Sequence, residues 1–93
     1  MIRSLNHKRL ERYFTKSDRR GIPAQSAVRI ERMRDRLDAS AASDDMDVLG
    51  YRFHALKGVR AGGEYAVSVS GKWRITFRCD DEDAIDVNLE DYH

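Results

Sequence analysis

The hydrophobic period of the chain changes from 3.6 residues to 2 near its midpoint, and that change limits the folds open to it. Up to about residue 39, apolar side chains recur at three- and four-residue spacing: Leu10, Tyr13 and Phe14 in one run, then Ala27, Ile30, Met33 or Arg34, and Leu37 in a second. Such spacing gathers apolar residues on one face of an α-helix. Beyond residue 50 the alternation is of every second residue. Tyr65, Val67 and Val69 oppose Ala66 and Ser68; Trp73, Ile75, Phe77 and Cys79 oppose Arg74, Thr76 and Arg78; Ile85, Val87 and Leu89 oppose Asp86, Asn88 and Glu90. Residues two apart share a face of a strand, so each run has one face for a core and one for solvent.

Local punctuation places the boundaries. Asn6 suits the N-cap of a first helix, Gly21 can close that segment, and Pro23 fits the first turn of a second helix, where its missing N–H costs nothing. "ASAASDDMDVLG" reads as a connection, Ser70-Gly71 as a hairpin turn, and Asp80 to Asp83 as an acidic turn. The expected class is α+β: helices at 7–16 and 23–39, strands at 2–5, 51–54, 64–70, 72–79 and 84–89, and a small curved antiparallel sheet with both helices packed on one face. The 93 residues suffice for a single domain, 1–93, with one modest core. The lone cysteine, Cys79, rules out an internal disulfide and reads as a small core residue.

Composition narrows the classes further. With 41% hydrophobic and 35% charged residues, the chain is globular and not disordered. It has no apolar run near the roughly 18 residues of a membrane span, and its start lacks the apolar stretch of a secretion signal, so the cytoplasm is expected and no membrane partner. The net charge of +1 hides a division. Residues 1–36 carry eleven Lys/Arg against four Asp/Glu, a balance of +7, and residues 37–93 carry six against twelve, a balance of −6. Clustered cations, and not total charge, bind phosphates, so a basic face built from Lys8, Arg9 and Arg12 on the first helix and from the stripe Arg29, Arg32 and Arg36 on the second is a candidate nucleic-acid surface. A solvated helix face would look the same in sequence.

The polar side chains of the second half supply candidate chemistry. His54 ends a strand, Lys57 and Arg60 follow it, Arg74 and Arg78 lie on a strand's polar face, and Asp91, Tyr92 and His93 stand at the end of the last strand. Pairing of 84–89 with 73–79 would hold that end down. One sheet face could then gather His54, Arg74, Tyr92 and His93, with Asp91 and Lys57 at its rim. Two histidines can divide general base and acid roles near neutral pH, and Arg and Lys can stabilise charge on a phosphoryl group. That set suits metal-independent RNA cleavage, in which a base takes the 2′-OH proton and an acid protonates the leaving 5′-oxygen. Each residue also has an ordinary reading, as a surface histidine, a paired arginine or a polar tail. No third metal ligand stands at a recognisable spacing, and "GVRAGG" lacks the Gly-Lys-Ser/Thr ending of a phosphate loop, so no metal or cofactor is expected.

The stretches "MIRSLNHKRLERYF", "GIP", "YRFHALKGVRAGG", "VSVSGKWRITFR" and "LEDYH" resemble, in order and spacing and over nearly the whole chain, the HigB-type toxins of bacterial type II toxin–antitoxin systems, within the RelE/ParE superfamily. The resemblance implies a RelE-like fold and an mRNA interferase, an endoribonuclease that cuts translated mRNA in the ribosomal A site. It implies as partners a HigA-type helix-turn-helix antitoxin and the 70S ribosome with its mRNA and 16S rRNA, with operator DNA reached only through the antitoxin. Carried over by motif, the family's catalytic residues fall on His54, Lys57, Arg74, Asp91, Tyr92 and His93; its RNA-facing basic surface is matched by charge, and not by a motif, to Lys8, Arg9, Arg12, Arg29, Arg32, Arg36, Arg60 and Arg78. The segment between "LKG" and "WRI" departs from the family pattern, being slightly longer and carrying Glu64-Tyr65 where an aromatic pair is common. Two other functions fit the same superfamily: a ParE-like inhibitor of DNA gyrase, and a toxin-like co-repressor acting through its antitoxin.

Overall fold

A computed structural model describes residues 1–16, 20–22, 24–56 and 63–91. Among the described residues, helix α1 spans Lys8–Lys16 and helix α2 Ala27–Ala39; strands β1 (His54–Ala55), β2 (Glu64–Ser70), β3 (Trp73–Asp80) and β4 (Asp83–Asp91) follow. The strands form one antiparallel sheet in the order β1-β2-β3-β4. The architecture is therefore α+β, with helices that precede a meander, as the change of period predicts.

The helices form because their apolar stripes have a partner. Leu10, Tyr13, Ala27, Ile30, Met33 and Leu37 are buried, and they meet Val67, Val69, Ile75, Phe77, Val87 and Leu89 from one face of the sheet. Full burial of one such side chain contributes about 1.5–3 kcal/mol, far more than helix propensity supplies in segments this short. Two polar contacts fix the helices' approach. The Tyr13 hydroxyl donates to the Ala27 carbonyl at 3.0 Å, and the hydroxyls of Ser26 and Ser70 bond at 2.7 Å between the start of α2 and the end of β2.

Several boundaries differ from the sequence expectation, each for a local reason. His7, and not Asn6, caps α1: its Nδ1 accepts the Leu10 N–H at 3.0 Å. Residues 24–26 form a separate 3₁₀ turn, so α2 starts at Ala27. Residues 2–5 make two isolated parallel bridges to β4, Ile2 to Ala84 and Leu5 to Val87, instead of a full strand. The expected strand 51–54 contracts to His54–Ala55, because Tyr51 is in a turn and Arg52 takes a left-handed φ of 52°. Cys79 is exposed and not a core residue, since it lies near the β3–β4 turn.

One irregularity reassigns a whole stretch of β4. Thr76 pairs with Asn88 but Arg78 pairs with Ile85, so β4 carries one extra residue. Asp86, at φ 53°, absorbs it as a bulge, and its N–H is taken by the Ser4 hydroxyl at 2.8 Å. Alternation then fails across the bulge. Ala84, Val87 and Leu89 reach the core, while Ile85, read from sequence as a core residue, stands across from Arg78 on the polar face.

Candidate active site

The sheet face away from the helices carries His54 and Arg74 of the candidate residues, and the strand register gives its layout. Cross-strand partners share a face, so His54, Ala66, Thr76 and Asn88 form one row, and Ser68, Arg74 and Glu90 form the next. A third row holds Glu64, Arg78 and Ile85. Small side chains on the central strands make a floor. Ala66 and Thr76 have 0% exposure, and long polar side chains surround them.

His54 stands exposed at the β1 edge of this floor. Its Nδ1 lies 2.8 Å from the Arg52 carbonyl oxygen. A carbonyl only accepts, so Nδ1 carries a hydrogen, and in a neutral ring Nε2 is the acceptor. The left-handed φ of Arg52 is part of what turns that carbonyl back toward the ring two residues on. Arg74, on the same face two strands away, donates from Nη2 to Glu90 Oε1 at 3.4 Å. Strand spacing and rise put the His54 and Arg74 backbones on the order of 12 Å apart, which leaves room for a phosphodiester between the two side chains. The Arg74 and Glu90 side chains are 15% and 18% exposed, so this pair is screened far less than one on an open surface. Arg78, on the far side of the Thr76 row, faces Asp86 at 3.9 Å.

Among the described residues, Asp91 stands apart from His54 and Arg74. Asp91 is opposite Trp73, which packs against the core cluster, and its carboxylate lies 3.5 Å from Lys72 Nζ. Its register places it on the other face from Arg74. Lys57, Arg60, Tyr92 and His93 lie outside the described residues.

The basic residues separate into two kinds. Lys8, Arg12 and Lys16 follow one another at four-residue spacing along α1 and line a shallow exposed depression with Glu11 and Thr15. Arg9 and Arg32 are also exposed, and the Arg9 stem packs so closely on Gly21 that a Cβ there would clash with its Cδ. Arg29 is half-buried and turned inward: it donates to the carbonyls of Gly50 at 2.7 Å and Ser68 at 3.3 Å and lies 5.1 Å over the Tyr51 ring. Arg36 donates from Nε to the Asp45 carbonyl at 2.7 Å. The α2 stripe is thus partly a set of clamps on the chain's own backbone.

The environment of Thr76 is not legible in the sequence. Alternation puts it on the polar face between Arg74 and Arg78, yet nothing in a threonine's spacing announces that it is fully buried. Its Oγ1 has no hydrogen-bond partner among the described residues.

Comparison with known proteins adds to this geometry. A family described as "RelE-like toxin of type II toxin-antitoxin system HigB" matches residues 3–93. Among curated proteins, the chain is similar to "Endoribonuclease HigB" of Proteus vulgaris, 40% identical over an alignment of 96 residues that covers all of both chains.

Proposed function

The chain belongs to the HigB group of RelE-like toxins of type II toxin–antitoxin systems, and from that premise we propose that it is an endoribonuclease that cleaves translated mRNA on the ribosome. Toxins of such systems are paired with an antitoxin, and the partner proposed for this one is a HigA-type helix-turn-helix protein. The observation that carries the nuclease reading is the row geometry. A histidine whose Nδ1 is engaged by a backbone carbonyl, which makes Nε2 the acceptor of the neutral ring, stands on the same sheet face as Arg74, whose guanidinium is held by a carboxylate in the place a phosphate would take.

The chemistry follows from those groups. His54 Nε2 takes the proton of the ribose 2′-OH, the 2′-oxygen bonds to phosphorus, and the P–O5′ bond breaks as an acid returns a proton to the leaving oxygen. Arg74 leaves Glu90 for the phosphate and stabilises the charge that grows on its non-bridging oxygens. With His54 taken as base, the acid role is left to His93; the family motif gives Tyr92 a stacking or proton-assisting role and Lys57 a phosphate contact. Asp91 would act at longer range, since its register sets it on the opposite face. DNA has no 2′-OH and is inert to this route. The open face offers few groups that could orient a free strand, so the ribosome is proposed to supply the positioning. Lys8, Arg9, Arg12 and Arg32 would meet rRNA phosphates, with Arg60 and Arg78 nearer the cut.

A translating bacterial extract tests the reading. Added wild-type protein should produce breaks within translated codons, mapped by primer extension, and His54→Ala and His93→Ala should not. Intact mRNA in an extract whose translation the wild type still arrests would overturn it and direct the search to gyrase.

A further inference from the structure

We propose that Thr76 is a phosphate-positioning residue, its hydroxyl donating a hydrogen bond to a non-bridging oxygen of the RNA phosphate that Arg74 holds. The inference rests on the nuclease reading and adds a residue to it.

Three observations meet at this position. Thr76 lies on the active face, in the row of His54 and flanked along β3 by Arg74 and Arg78. It has 0% exposure, and its Oγ1 has no partner among the described residues. Buried hydroxyls in folded proteins are almost always bonded, and an unbonded one weakens the fold. Valine has nearly the same shape and is at least as well suited to a central strand, so stability alone would favour it here. A polar atom held at a cost beside two arginines is what a site that gains its ligand only when occupied would show.

The Arg74–Glu90 pair, one row along the same face, is the element proposed to give way when the complex forms. The 3.4 Å contact is long for a charge-assisted bond, and a phosphodiester competes with the carboxylate for the same guanidinium. When the guanidinium swings from Glu90 to the phosphate, it draws that anion toward the neighbouring row, where Thr76 Oγ1 is a donor with no partner among the described residues. No covalent step is assigned to Thr76.

The test compares Thr76→Val and Thr76→Ser with wild type, in single-turnover cleavage of ribosome-bound mRNA and in thermal melting. Thr76→Val should lose about tenfold or more in cleavage rate and melt at or above the wild-type temperature. Thr76→Ser restores the hydroxyl and should cleave within about threefold of wild type even if the lost methyl lowers its melting temperature. Wild-type cleavage by Thr76→Val would overturn the proposal. Equal loss in both variants, with both melting lower, would assign the residue to packing and overturn it as well. If the wild type itself leaves ribosome-bound mRNA intact, the nuclease reading fails, and this proposal falls with it.

Discussion

The two faces of the sheet use the same strands for opposite ends. On the helix-covered face, Val67, Ile75, Phe77, Val87 and Leu89 interlock with α1 and α2 and present no polar side chain to the core. On the other, Thr76 keeps a buried hydroxyl without a partner among the described residues, and Arg74 and Glu90 hold opposite charges at low exposure. The first arrangement maximises stability. The second gives some up for groups that a ligand can complete, and consecutive residues of β3 serve each in turn.

That contrast can be broken in several ways. The largest effect should come from opposite substitutions on the two faces. His54→Ala should lower cleavage by roughly 10²–10⁴-fold, measured by single-turnover kinetics, and leave the melting temperature unchanged because the side chain is exposed. Phe77→Ala should cost about 3–5 kcal/mol in a denaturant titration, since it empties the centre of the core. Should His54→Ala also unfold the protein, the separation of the faces would be lost.

A smaller effect separates the arginines of α2. Arg29→Ala removes two bonds to carbonyls and a cation–π contact and should destabilise by about 1–3 kcal/mol in a denaturant titration. Arg32→Ala should leave stability within about 0.5 kcal/mol and instead flatten the salt dependence of ribosome binding, measured by filter retention over a salt series.

The smallest effect is a pH dependence away from the active face. Burial, and then the Arg9 charge, hold the His7 imidazole below its ordinary pKa, and the neutral Nδ1 accepts the first-turn N–H of α1. A pKa lower in the folded than in the unfolded state means that unfolding takes up a proton, so stability is full above about pH 6.5 and falls as pH drops through the folded value. The loss should be about 0.5–2 kcal/mol, the usual worth of an N-cap. His7→Asn, which caps without titrating, should flatten the stability profile between pH 7 and pH 5, read by urea denaturation at each pH.

Much of this protein was determined by local sequence. The change of period at midchain, the apolar stripes of the two helices and the alternation in 64–80 led to the α+β class and to most of the core, because side-chain periodicity is a property of a few consecutive residues and needs no partner to be read. The family resemblance likewise rested on short motifs, and those named His54 and Arg74. What only the tertiary structure decided depends on residues far apart in the chain. Asp86 as a bulge, which turned Ile85 outward, needs the Ser4 hydroxyl and the β3 register; Asp91 was set on the far face by its pairing with Trp73; and Arg29 became a clamp because Gly50 and Ser68 point carbonyls at it. Thr76 is the clearest case. Its place on the polar face could be counted from Arg74, but its burial and its missing partner depend on how neighbouring strands and side chains close over it, which no local spacing records.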